Sequence, residues 1–226
     1  MKIVDLWKHH KNIVWWFFGA IFIFVVFLDI QSKREVNTLR TIIRDSTAIE
    51  IQDSLIKVFK VDRDKAPTLA YNIKYCSKRF DVDWKKIAAK IKVESNFNTF
   101  AKSKSTKIGY DKIEQRAYGL LQIKPTTGKG WAEDLNIEYD SCYLFNEYYS
   151  VYLGTYGFAK MEVPFSKNFE KAEKAYNVGL AGYYAGLASE LHWTRVCYWY
   201  QRLQGVNDTI LYNKAYPVVI KADTTK

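Results

Sequence analysis

The chain has few of the residues that punctuate or cross-link a fold. Four prolines and eleven glycines leave long stretches uninterrupted. Period-two runs closed by hairpin dipeptides are scarce, which argues against a sandwich or barrel of short strands. The three cysteines, Cys76, Cys142 and Cys197, lie far apart and form no CxxC pair, so no zinc-ribbon or thioredoxin-like site is expected. They read as small buried apolar residues, with one disulfide plus a free thiol as the open alternative. Histidine is equally sparse. His9 and His10 belong to the basic flank of an apolar run and His192 stands alone. One remaining imidazole builds no metal site, so none of the three is assigned a role, and no metal or cofactor is expected.

Acidic residues are also in deficit: 24 against 34 basic side chains, a net charge of +10. That favours an anionic partner, whether nucleic acid, acidic phospholipid or an acidic wall polymer. The positive residues are spread along the chain with no Arg-rich run, so no nucleic-acid partner is expected.

What the chain does have begins with an uncharged run, "IVWWFFGAIFIFVVFL", Ile13 to Leu28. Extended to Ile30 and wound as a helix it would measure about 27 Å, close to the hydrocarbon thickness of a bilayer. The following "FLDIQSKREV" offers no small-residue cleavage site and no lipidation cysteine. Residues 1–31 are therefore expected to be an uncleaved membrane anchor that meets the bilayer through residues 13–30. Basic residues flank both ends, so charge does not set its orientation. From 32 to 66 polar residues alternate with Val36, Leu39, Ile42, Ile43, Ile49, Leu55, Ile56 and Phe59, with neither Gly nor Pro before Pro67. Those spacings predict amphipathic helix, either a stalk or a helix packed against the domain behind it. The globular domain is placed at 67–205 and a tail at 206–226.

Within the domain the pattern is helical nearly throughout, and the class is mainly α. "DWKKIAAKIKVES" carries apolar residues three and four apart, with Asp83 as its expected N-cap. It ends on Glu94, a lone carboxylate among Ile91, Val93 and Phe97. A carboxylate in apolar surroundings without a cationic partner keeps its proton to higher pH, which is what a general acid near neutrality requires.

Three segments then fall in one order: "VESNF" at 93–97 with Ala101 and Ser103 following, "YGLLQI" at 118–123, and "AYNVG" at 175–179. Together they resemble the lytic transglycosylases of the SLT type, whose domain has a goose-lysozyme-like fold. The resemblance spans about Pro67 to Arg202. It departs in an insertion, "KSTKIGYDKIEQRAY", in Leu121 where the family usually has Met, and in a fourth motif reduced to Ser150-Val151, Gly154 and Gly157-Phe158.

The resemblance implies a peptidoglycan-cleaving enzyme with Glu94 as its single catalytic acid and base, acting on the glycan strand and leaving a 1,6-anhydro-muramyl end. It further implies substrate contacts by Ser103, Gln122 and Tyr176, a bracing role for Asn177, and for Ser95 either substrate contact or capping of a nearby turn. Tyr183, Tyr184 and Trp193 suit stacking on sugar rings and suit an aromatic core equally well. Two alternatives stay open. Asp111 or Glu114 in the insertion could act as the second carboxylate of a lysozyme-type hydrolase, or the fold could serve only as a membrane-tethered wall-binding or assembly component. The expected location is a membrane facing peptidoglycan, in a bacterial envelope or a phage virion.

Overall fold

The computed structural model describes residues 46–103 and 116–217. The proposed anchor at 13–30 and the acids Asp111 and Glu114 lie outside the described residues. Among those described, no helix is long and apolar enough to cross a membrane. They are mainly helical and contain no strand, only isolated bridges pairing Lys102 with Tyr118 and Tyr118 with Ile123.

Helix α1, Ser46–Lys57, buries Ile51 and Leu55. Both belong to the same core as Leu69, Ile87 and Leu121. This part of the segment before Pro67 is thus a helix packed against the domain behind it. Helix α2, Ala66–Phe80, starts with Pro67 in its first turn, where a missing N–H costs nothing. It ends at Asp81 in the left-handed conformation.

Helix α3, Trp84–Ser95, begins as its sequence predicts: Asp83 Oδ1 accepts from the Lys85 N–H at 2.9 Å. Its buried stripe is Ile87, Ala88 and Ile91, with Lys90 in the same buried set. The two isoleucines are fully buried and together contribute about 3–6 kcal/mol. The helix stops at Asn96, whose left-handed backbone (φ 52°) returns its N–H to the Lys92 carbonyl. Glu94 therefore sits in the last turn of a helix whose position is fixed from both ends.

Helix α4 is Pro125–Asp134 and α5 is Glu147–Glu162. Helix α5 buries Ser150, Val151, Leu153, Gly154, Thr155, Gly157 and Phe158. Helices α2, α4 and α6, Phe169–Tyr184, all pack against it, which makes it the central helix of the domain. Helix α6 is interrupted at Gly179, which has φ 77°. Helix α7, Glu190–Leu203, lies against α3, and α8, Thr209–Ala215, closes on α7 with Ala215 buried. The expected tail thus begins as a folded helix. Cys76, Cys142 and Cys197 are free thiols, the first buried, the second exposed and the third intermediate.

The central helix can be approached closely because its interior carries glycine. A Cβ at Gly154 would lie 2.4 Å from Leu121 Cδ1, which seats the "YGLLQI" turn on α5. This is the physical content of the glycine retained in the reduced fourth motif. Gly154→Ala is expected to cost about 1–3 kcal/mol through overpacking, read as a lowered denaturation midpoint with an unchanged denaturant slope.

Candidate active site

Glu94 is nearly buried, with 13% of its side chain exposed. Its neighbours differ from the apolar setting expected for it. His192 Nε2 lies 3.5 Å from Glu94 Oε1, and the same nitrogen lies 3.1 Å from Glu173 Oε1. Lys90, one turn before Glu94, holds both Glu173 oxygens with its Nζ at 2.9 and 2.7 Å. Lys90 and Glu173 are fully buried. Each of the four residues comes from a helix that the local sequence positions. Lys90 and Glu94 share α3, Glu173 lies on α6, and His192 lies in the first turn of α7, capped by Ser189, which accepts from the His192 backbone N–H at 3.2 Å.

Tyr176 completes the cluster one turn beyond Glu173. Its ring centroid is 3.6 Å from Lys90 Nζ, a cation–π contact, and its hydroxyl donates to the Leu121 carbonyl at 3.3 Å. That hydrogen bond ties α6 to the "YGLLQI" turn. The turn is closed by two bonds between Tyr118 and Ile123, N–H to carbonyl in each direction at 3.0 Å. Gly119 has φ +73° there, and a Cβ would fall 1.9 Å from the Leu144 carbonyl oxygen, so only glycine fits.

Three of the remaining expected residues, Gln122, Ser103 and Ser95, bond the backbone. The Gln122 side-chain amide donates to the carbonyls of Ala101 at 3.2 Å and Gly119 at 2.9 Å. Ser103 Oγ accepts from the Ala117 N–H at 3.0 Å, and the Ser103 N–H donates to the Ala117 carbonyl at 2.9 Å. Ser95 donates its hydroxyl to Ile91 O at 3.1 Å, within its own helix. Asn177 is exposed on α6. Trp193 packs edge-on against Phe169 and Tyr183 against Phe165, whereas Tyr184 is exposed.

Charge accounts for the protonation states. Burial raises the Glu94 carboxyl, the charges of His192 and Lys90 pull it back, Glu173 pushes it up, and the balance lies above its ordinary value. Burial also pushes Glu173 up, but the Lys90 charge and the His192 hydrogen bond overcome it and hold that carboxyl below its usual range. For His192 burial favours the neutral ring, while Glu173 and the Glu94 charge outweigh this and raise it. Burial, then the charges of Glu94 and Glu173, lift the Tyr176 phenol well above its ordinary value. One carboxylate is thus kept ionised and its neighbour is biased toward the protonated acid.

Two expectations need correction. Glu94 does have a cationic neighbourhood, and His192 is part of the site. A histidine in a distant helix carries no local signature, but Lys90 and Glu173 do. Each places a charge in an otherwise apolar stripe, beside Ile87 and Ile91 in one case and Ala172 and Ala175 in the other. Two such interruptions of opposite sign announce a buried ion pair. Glu94, Glu173 and His192 also offer ligand atoms within 4.8 Å of one another. Lys90 occupies both oxygens of Glu173, however, and its positive charge stands where a metal would bring another, so the donor set does not fit a metal ion.

The described residues thus present one nearly buried acid, raised by its surroundings and framed by a tyrosine and a glycine-dependent turn. Residues 71–186, just over half of the chain, match the transglycosylase SLT domain, and the chain belongs to that family. Among solved structures, an inactive mutant of the lytic transglycosylase Slt from Pseudomonas aeruginosa is 20% identical, with a TM-score of 0.45, over 64% of this chain and 23% of its own. The 70 kDa soluble lytic transglycosylase of Escherichia coli is 22% identical, with a TM-score of 0.43, over 68% and 25%. A complex of the 70 kDa soluble lytic transglycosylase with bulgecin A is 20% identical, with a TM-score of 0.43, over 78% and 25%. The chain therefore spans about a quarter of the length of these structures. No curated protein matches it.

Two stability measurements test the electrostatics. Lys90→Met takes from buried Glu173 the partner that binds both its oxygens, leaving it His192, and is expected to cost about 3–5 kcal/mol, most of it recovered in Lys90→Met/Glu173→Leu; equilibrium denaturation of the single and double variants reads this. Glu94 titrates higher folded than unfolded, so the folded state binds the extra proton and loses stability as pH rises through that window. Glu94→Gln should therefore melt above wild type near about pH 7, with the gap closing toward about pH 4.

Proposed function

We propose that this chain is a membrane-anchored peptidoglycan lytic transglycosylase. It cleaves the MurNAc-β-1,4-GlcNAc bond and leaves 1,6-anhydro-MurNAc, with Glu94 as its only general acid and base. The observation that carries this reading is the state of Glu94: nearly buried at the end of α3, with its carboxyl raised above the ordinary range. Membership of the SLT family supports the substrate class. The apolar run at 13–30 supports the anchor and the net charge of +10 suits an anionic wall.

The chemistry needs two proton transfers through one carboxyl, one outward and one back. Glu94 gives its proton to the glycosidic oxygen as the bond from C1 breaks, while the sugar's own N-acetyl oxygen supports the cation forming at C1. The Glu94 carboxylate then takes the proton of the C6 hydroxyl as O6 closes on C1. Glu94 ends protonated, as it began, and no water is consumed.

A second carboxylate is what a hydrolase would add. Glu173 is near but unsuited: it is fully buried and both its oxygens are bound to Lys90. The remaining substrate contacts fall to atoms not spent on the backbone. The Gln122 carbonyl oxygen can accept from sugar hydroxyls, since the amide nitrogen is engaged, and the Ser103 hydroxyl keeps its proton to donate.

The test uses the full chain, because α1 contributes Ile51 and Leu55 to the core. Wild type and Glu94→Gln are incubated with purified peptidoglycan and the released muropeptides are weighed. Anhydro ends from wild type are expected, with release by the variant lowered about 10²–10⁴-fold. Hydrated reducing ends would overturn the transglycosylase reading in favour of a hydrolase using Asp111 or Glu114. No release from wild type would leave the fold as a wall-binding scaffold.

A further inference from the structure

His192 presents one ring nitrogen to two carboxylates. Its Nε2 is 3.1 Å from Glu173 Oε1 and 3.5 Å from Glu94 Oε1. Glu173 is ionised because Lys90 holds it through both oxygens. A bare lone pair on Nε2 would face that anion at hydrogen-bond distance, which is repulsive, so Nε2 carries a proton. Ser189 fixes the turn on which His192 stands by accepting from its backbone N–H, and Glu173, itself held by Lys90, meets the ring at Nε2. The Nε2–H therefore lies between Glu173 at 3.1 Å and Glu94 at 3.5 Å.

We propose that His192 is a positioning residue for Glu94: its Nε2–H, aimed by Glu173, engages Glu94 Oε1 and so assigns the acidic proton to Oε2. The inference rests on Glu94 being the acid of the proposed reaction and adds how that acid is oriented. A carboxylic acid has two equivalent oxygens, and only one can face the glycosidic bond. Making Oε1 an acceptor removes the ambiguity before substrate arrives, which is the preorganisation that a reaction with a single catalytic group depends on. When Glu94 has given up its proton, the same N–H meets a full carboxylate and holds it for the return step.

The groups facing His192 are Glu94 and Lys90 from α3 and Glu173 from α6, and the Tyr176 phenol on α6 also feels the charges of Glu94 and Glu173. Lys90 and Glu173 cancel in charge. A cationic His192 acts on both carboxylates, and at Glu94 it makes ionisation easier. Removing that charge must move the Glu94 titration upward, and with it the alkaline limb of the rate profile. The glutamine side chain reaches with an amide N–H to about where Nε2 stands, without charge, whereas phenylalanine offers neither charge nor donor.

The test follows the Glu94 carboxyl carbon by NMR titration in the full chain, assigned by its loss in Glu94→Gln, and measures kcat, KM and pH profile on peptidoglycan. His192→Gln is expected to raise the Glu94 midpoint by about one pH unit, shift the alkaline limb by the same amount, and keep most of kcat. His192→Phe is expected to raise the midpoint likewise and to lower kcat about tenfold or more with KM little changed. A Glu94 midpoint that does not move in either variant would overturn the proposal, as would equal kcat in the two. The titration needs no turnover. If wild type releases nothing while the midpoint still moves, the failure belongs to the proposed reaction and the coupling of His192 to Glu94 stands. Should His192→Phe not fold, the glutamine variant decides through midpoint and pH limb.

Discussion

A lysine and a glutamate with no exposed surface, 2.7 Å apart, hold this site together. Buried ion pairs add little to net stability against an apolar pair of the same shape, but neither partner tolerates loss of the other. What Lys90 and Glu173 provide is a fixed relation between two helices. Lys90 belongs to the helix that ends in Glu94, and Glu173 to the helix that carries Tyr176 one turn later. With both oxygens of Glu173 spoken for, its position is determined, and so is the place where an imidazole from a third helix can dock. The protonation of Glu94 depends on that arrangement, since three charged neighbours stand around a carboxylate that water barely reaches.

The central helix works through absence of bulk. Leu121 closes on Gly154, and the Trp131 ring lies within 2.3 Å of where a Cβ on Gly157 would be. These approaches bring the "YGLLQI" turn near the helix bearing Tyr176, so the Tyr176 hydroxyl can reach the Leu121 carbonyl. A steric allowance in one helix thereby becomes a hydrogen bond between two other elements. Gln122 then spends its amide on Ala101 and Gly119, which fastens the same turn to the segment just after Glu94.

Much of this could be read from the chain. Helix α3 was legible from its spacing and from Asp83, and Glu94 from its place at the end of an apolar stripe. The three segments that mark the SLT family are local strings, and each survives as a local structure. The partners of Glu94 were hidden because pairing across roughly eighty to a hundred positions leaves no periodic trace. A histidine in the first turn of a polar-looking helix is indistinguishable from a solvated one until Lys90 and Glu173 are seen to face each other. Charges inside apolar stripes were the available clue. The boundary before Pro67 was harder for another reason: an amphipathic helix shows that it has an apolar face but not what covers it, and Ile51 and Leu55 prove to be covered by the domain itself.

The paired bonds between Ser103 and Ala117 have a consequence for how such a domain can change over time. They join two points of the chain fourteen positions apart at the very base of the intervening segment. A span fastened at its root can lengthen or shorten at small entropic cost, since closure grows only with the logarithm of length. Evolution is thereby given a place where length can vary while the two residues that close the span stay joined.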